Sequence, residues 1–302
     1  MENNCERNGN NMDVSESVIH DMYPGIFDIL LIDRTTSTKK KNRNIIWAND
    51  NYLRFGSKAY APSAEIKVEL ITGYMNNLIM PRALKNSRLQ KERTKTNAEV
   101  FTPIWVVKKQ NDEIDQKLLN QELEKYVKTT WIEIACGEAP YMVTRYDMES
   151  GEPIAINDRV GFVDRKLARI NREVSDKVEW DYLVEHAYKA SYGFEWNGDS
   201  LLLARENLLY SYRDYYFEKW KVEPQYKSFE EIARIISYNI FQMDGLKYQV
   251  PLTERREEVF DNEISLFDED IPESYWTIKV GKRVKIMDWN TNNFEYFDKG
   301  LT

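Results

Sequence analysis

The chain has 302 residues, 42% of them hydrophobic and 30% charged, with 42 basic side chains against 50 acidic ones and a formal net charge of -8. That is ample for one large α/β domain or a core domain with an appendage, and the acidic balance excludes a protein that coats nucleic acid with its whole surface. Cys5 and Cys136 lie too far apart for a disulfide framework, neither they nor the two histidines have metal-ligand spacing, and no apolar run nears the roughly 20 residues of a membrane span, so the expectation is a cytoplasmic chain with no membrane contact and no metal.

Residues 1–17 are rich in Asn, Glu and Ser, cannot repay the entropy of ordering, and are expected to be a tail. A small N-terminal α+β unit with a basic linker is expected over 18–96: Ile26–Ile32 and Asn44–Ala48 read as strands, and Ile66–Ile71 as a third strand or a short helix. Two basic runs punctuate it. One is Lys39-Lys40-Lys41-Asn42-Arg43; in the other, Arg82, Lys85, Arg88, Lys91, Arg93 and Lys95 face only Glu92. The plain reading of either is a solvated face, and the functional one is a strip of phosphate contacts to double-stranded DNA.

The remainder, 97–302, reads as an α/β domain. Thr102 and Pro103 suit the start of a helix through Ile104–Val107. After a polar run over Asp112–Thr129, a strand at Trp131–Ala135 breaks at Cys136-Gly137. A charged insertion, 147–189, carries a helix at Arg165–Val174 and no recognisable motif. A strand at Tyr192–Trp196, helices at Ser200–Trp220 and Phe229–Ser237, and a strand at Asn239–Gln242 follow. Beyond the acidic loop 254–274, strands at Tyr275–Val280 and Arg283–Trp289 read as a hairpin turning at Gly281-Lys282.

Parallel sheets bind ligands at the carboxyl ends of their strands, where the backbone must turn tightly and come close to the ligand. Three expected strand ends carry suitable residues. Ala135, Cys136, Gly137 and Ala139 permit close approach, and Glu133 beside them can receive a hydrogen-donating group. Glu195 is placed to accept from a ribose diol, and Asp244 from the exocyclic amine of an adenine. Taken singly, each has a bland reading as a cap, a surface acid or a turn.

In combination these elements resemble the S-adenosylmethionine-dependent adenine-N6 DNA methyltransferases of restriction-modification systems. Glu99-Val100-Phe101-Thr102-Pro103 is similar to the family's Thr-Pro element, and Glu133-Ile134-Ala135-Cys136-Gly137-Glu138-Ala139-Pro140-Tyr141 to its Asp/Glu-Pro-Ala-Cys-Gly turn, with Ala139 in place of the second glycine. Glu195, followed by Ala204-Arg205-Glu206-Asn207, and Met243-Asp244-Gly245-Leu246 resemble its later motifs. The resemblance implies a Rossmann-like methyltransferase sheet, with S-adenosylmethionine held by Phe101, Thr102, Pro103, Glu133, Ala135, Cys136, Gly137, Tyr141, Glu195 and Asp244. It also implies double-stranded DNA as substrate and a restriction-modification partner subunit.

The family holds its flipped base with Asn/Asp/Ser-Pro-Pro-Tyr/Phe, and this chain has no Pro-Pro pair. Glu138-Ala139-Pro140-Tyr141 imitates its outline inside the cofactor turn. At the expected later place stand Asp288, Trp289 and Asn290, of which Asp288 or Asn290 can hold an amine and Trp289 can stack on a base. The alternatives are a silent regulator of a restriction system built on the same fold, and a Mg-dependent endonuclease using Asp50, Glu65 and Lys67.

Overall fold

The computed structural model of the chain describes residues 20–21, 23–85, 90, 102–260 and 274–299. The expected tail 1–17 lies outside them, as do Phe101, Arg88, Lys91, Arg93 and Lys95. The architecture is mixed α/β: a three-stranded parallel sheet and two small two-stranded antiparallel sheets.

The first expected strand is a helix, α1 (Ile26–Leu31). Its buried residues, Ile26, Phe27, Leu30 and Leu31, recur at helical spacing and form one face, which packs against the later helices. Asn44–Ala48 is extended but forms only isolated bridges, Ile32 to Asn44 and Ile46 to Glu65. Ile66–Ile71 yields one helical turn, α2 (Val68–Ile71). Among the described residues, Trp47, Tyr52, Tyr60, Ile66 and Ile79 belong to the same apolar cluster as the later helices.

The Thr-Pro element opens α3 (Ile104–Asp115), with Pro103 at the cap position and no side-chain cap bond from it. Then come α4 (Leu123–Lys128), β1 (Trp131–Glu133), α5 (Phe162–Glu173), α6 (Lys177–Lys189), β2 (Ser191–Glu195), α7 (Gly198–Trp220), α8 (Tyr226–Asn239) and β3 (Ile240–Gln242). The strands lie in the order β1-β2-β3, all parallel, with Trp131 opposite Ser191 and Glu195 opposite Gln242. Each crossover carries helices, as parallel pairing requires. Helix α6 was not anticipated: its apolar positions are broken by charged residues, and only its packing against α5, α8 and α4 reveals a buried face.

Every residue of α7 from Gly198 to Tyr212 is buried, which makes it the axis of the domain. Its fully buried Arg205 donates to the carbonyls of Ile240 (2.8 Å), Ile32 (3.0 Å), Ser237 (3.3 Å) and Leu30, tying the end of α1 to the start of β3.

The expected C-terminal hairpin does not form. β4 (Arg255–Phe260) pairs with β5 (Ser274–Lys279), and β6 (Lys285–Asp288) with β7 (Asn293–Tyr296), all antiparallel. Gly281 and Lys282 instead lie along an earlier loop. Gly281 donates to Gln249 Oε1 (2.8 Å), Lys282 to Thr253 Oγ1 (2.8 Å), and the Lys282 carbonyl accepts from Val250 (2.8 Å).

Candidate functional site

The loop leaving β1 is strained in a regular way: Ala135, Gly137 and Ala139 all have positive φ, at 49°, 54° and 63°. An alanine in the left-handed region costs about 1–2 kcal/mol, so the surrounding structure must hold it there. Glu133 supplies much of that hold. From the end of β1 its two carboxylate oxygens accept from the backbone N–H groups of Tyr141 (3.2 Å) and Met142 (3.0 Å), closing the turn into a ring. Burial pushes its carboxyl up to about 8, against the lowering effect of those two amides, and neighbouring Glu195 adds to the rise.

The turn is stitched to the next strand. Cys136 donates to the Phe194 carbonyl (2.8 Å) and Gly137 to Glu195 Oε2 (3.0 Å). Glu195 Oε1 accepts from both the backbone and the side-chain nitrogen of Asn197, each at 3.0 Å. Three of roughly four lone-pair sites on this carboxylate are therefore used, so a diol takes the remaining site or replaces a donor. Burial raises the carboxyl of Glu195 and, together with the two nearby acids, the thiol of Cys136. Two close approaches depend on glycine. A Cβ on Gly193 would fall 2.2 Å from the Met142 methyl carbon, and one on Gly161 2.2 Å from the Met142 carbonyl oxygen.

The Thr-Pro element meets this turn. The Tyr141 hydroxyl hydrogen bonds with the Thr102 side chain and donates to Gln110 on α3, while Asn111 Nδ2 donates to the carbonyls of Tyr141 and Val160, both at 3.0 Å. Thr102, Pro103, Glu133, Ala135, Cys136, Gly137, Tyr141 and Glu195 thus come together at the carboxyl ends of β1 and β2. Asp244 follows Met243, whose N–H bonds to the Glu195 carbonyl (3.0 Å), and its carboxylate caps Leu246 (2.9 Å) and Lys247 (3.2 Å).

Sequence reading missed two features. Glu138 is buried and accepts from the Arg82 N–H (2.7 Å) and the Tyr146 hydroxyl (2.6 Å), while Asn207 of α7 donates to that hydroxyl (2.9 Å) and to the Glu138 carbonyl (3.0 Å). The only hint was a glutamate in a turn of small residues. The second is segment 46–52, laid across the ends of β2 and β3. Gln242 exchanges bonds with Ile46, Trp196 Nε1 donates to the Ala48 carbonyl (2.7 Å), and Asn49 and Tyr52 donate to Asp199. No local pattern announces contacts nearly 200 positions apart.

The remaining candidates fall elsewhere. Trp289 Nε1 donates to Asn239 Oδ1 (2.8 Å), and Asn239 Nδ2 in turn donates to the carbonyl of Ser191, the first residue of β2 (3.1 Å). Asp288, Trp289 and Asn290 thus stand at the amino end of the sheet, opposite the turn, and do not share a site with it. Asp288 is occupied as a turn former, accepting from the Asn290 N–H and the Thr291 hydroxyl, each at 2.9 Å. Arg82 and Lys85 are buried, 6% and 7% exposed, so they do not form a solvent-facing phosphate strip. Of the residues of the nuclease alternative, Asp50, Glu65 and Lys67, Glu65 is paired with Arg43 (2.8 Å) and accepts from the Asn44 N–H (3.2 Å).

Among the described residues, no helix is long and apolar enough to cross a membrane. Comparison of the chain with protein-family models, with curated proteins and with solved structures found no match.

Proposed function

We propose that this chain is a Rossmann-like module of the adenine-N6 DNA methyltransferase type, binding S-adenosylmethionine in a restriction-modification setting. The observation that carries the reading is the convergence of the Glu133–Tyr141 turn and Glu195 at the carboxyl ends of adjacent parallel strands, where open sheets bind nucleosides. Open space supports it: a Cβ on Gly137 would meet nothing within 4 Å, so a ligand can lie against the backbone there. The strain at Ala135 and Ala139 is of the kind that persists at binding sites.

In this reading the residues divide the work by position. Glu195 takes one ribose hydroxyl on its remaining acceptor site and the second by displacing a present donor, Ala135 and Gly137 let the backbone approach the amino-acid tail, and Tyr141 with Thr102 walls the pocket on the α3 side. Asp244 supplies an acceptor for the adenine amine. When bound, the sulfonium supplies an activated methyl group. Glu133 keeps the turn closed; both of its oxygens are already engaged by amides.

The target base is assigned to a partner subunit. That assignment rests on the missing Pro-Pro pair and on Asp288, Trp289 and Asn290 lying at the far end of the sheet. Photocrosslinking with radiolabelled S-adenosylmethionine tests the binding claim. Label that maps to 131–141 and is competed away by S-adenosylhomocysteine supports it, and uncompeted or scattered label defeats it. Tritiated-methyl transfer to mixed duplex DNA, with and without the co-expressed partner, then separates a subunit from a silent module.

A further inference from the structure

The amino end of the sheet, opposite the Glu133–Tyr141 turn, carries a row of aromatic rings. Trp289 stands there with its indole N–H tied to Asn239 (2.8 Å). Its ring centre lies 5.5 Å from that of Tyr238, and Tyr238 lies 5.6 Å from Phe294. Strands β6 and β7 extend the row: Lys285 pairs with Tyr296 and Met287 with Phe294, so these four side chains share one face of the hairpin. Phe294 and Tyr296 are exposed, at 43% and 42%.

Cations sit among these rings. The Arg34 guanidinium lies 4.4 Å from the Tyr238 centre, and Lys285 Nζ 5.5 Å from that of Tyr296. Arg34 donates from Nε to Ser237 Oγ (2.8 Å), and among the described residues neither it nor Lys285 meets a carboxylate. Arg34 also opens the loop that holds the basic run Lys39-Lys40-Lys41. The Lys285 N–H donates to Thr35 Oγ1 (3.2 Å), which seats this loop on β6. Thr38 and Lys41 exchange backbone bonds (2.9 and 3.3 Å), leaving Lys39 and Lys40 as an exposed two-residue turn. Four residues of chain span at most about 14 Å, so the Lys39 backbone stays within that distance of Thr35.

The neighbouring acids are consumed. Asp298 holds Arg283, Glu295 holds Lys299 and Glu65 holds Arg43, while Asp33 is buried as the acceptor for Thr35 and Thr36. Among the described residues, loop 33–43 and the β6–β7 hairpin therefore keep Arg34, Lys39, Lys40, Lys41 and Lys285 without an ion pair. Against them stands Asp288, which caps its own turn.

We propose that this surface binds single-stranded nucleic acid. Bases stack on exposed rings whatever their sequence, and the phosphates between them meet cations that no carboxylate neutralises. A duplex hides its base faces, and an acidic peptide matches the charge but brings no base to stack. The proposal does not rest on the methyl-donor reading, because the surface lies at the other end of the sheet.

The test is fluorescence anisotropy of a labelled oligothymidylate titrated with the full chain at several salt concentrations. Saturable binding is expected, with affinity falling as salt rises. Phe294→Leu and Tyr296→Leu keep an apolar side chain but remove the stacking ring, and each should weaken binding about fivefold or more at an unaltered circular dichroism spectrum. Replacing Lys39, Lys40 and Lys41 together by serine, on an exposed turn, should reduce the logarithmic salt slope by about 2, and it decides the matter if a leucine variant unfolds. Oligouridylate binding more tightly than oligothymidylate identifies RNA as the source, and the reverse identifies DNA. Absence of saturable binding, a duplex or polyglutamate that binds as tightly as the single strand, equal affinity in both leucine variants, or an unchanged salt slope in the serine variant overturns the proposal.

Discussion

Replacing Glu133 by glutamine should change how stability depends on pH, and the direction follows from the buried ring it closes. The ordinary value for this carboxyl is 4.5 and burial lifts it to about 8 in the folded chain, so between those limits the folded state keeps a proton that the unfolded state has lost. Stability therefore declines as pH rises through that window, by up to about 1.4 kcal/mol per pH unit for this one group. The full interval corresponds to about 5 kcal/mol above the folded value, a contribution absent below the unfolded one. Glutamine does not titrate, but its amide can accept only one of the two N–H groups from Tyr141 and Met142 and turns a donor toward the other. That loss costs about 1–3 kcal/mol at every pH.

The two effects predict a crossing. Glu133→Gln should be less stable than the wild type near about pH 5, and as stable or more so near about pH 9. Lys166, lowered by burial to about 7, contributes in the opposite sense, adding stability as pH rises above that value, but it is common to both proteins and drops out of the difference. Urea unfolding at intervals across this range measures both curves. Parallel stability profiles for the two proteins would refute the buried, proton-holding Glu133.

Five further outcomes follow from the same geometry. Gly137→Ala should lose about 1 kcal/mol through its positive φ alone, because the added carbon meets nothing, whereas Ala135→Gly should be neutral or gain up to about 1 kcal/mol; thermal melts measure both. Gly161→Ala should cost several times more, since its Cβ would press on the Met142 carbonyl and dislodge the turn; a loss under about 1 kcal/mol in urea would contradict that packing. Tyr146→Phe removes two buried hydrogen bonds, to Glu138 and from Asn207, and should cost about 2–3 kcal/mol by the same assay. Trp289→Phe, at the amino end of the sheet, should leave cofactor affinity unchanged in a filter-binding assay even if it lowers the melting temperature.

The sheet was legible because its signals are local. β1 and β2 each end in an acidic residue, Glu133 and Glu195, and the first of the helices between them, α5, keeps a helical period. The Thr-Pro element lies beside the turn, through Thr102, Gln110 and Asn111. The errors came where long-range packing overrides a short run. Ile26–Leu31 has the composition of a strand, and only its partners show which spacing is used. Gly281-Lys282 has the composition of a hairpin turn, but Gln249 and Thr253 claim its amides. Asp288, Trp289 and Asn290 carried suitable chemistry, yet no sequence pattern tells which end of a sheet a later segment will reach. Glu138 stood in view as a glutamate in a turn of small residues, and its partners, Arg82, Tyr146 and Asn207, are set by tertiary structure.

Calorimetric titration with S-adenosylmethionine tests the central claim most directly. Saturable binding at one site is expected, weakened about tenfold or more, or about 1.4 kcal/mol, by Glu195→Ala and unchanged by Trp289→Phe. No heat of binding at millimolar cofactor, or equal affinity in Glu195→Ala, would contradict the assignment of the Glu133–Tyr141 turn and Glu195 as its site.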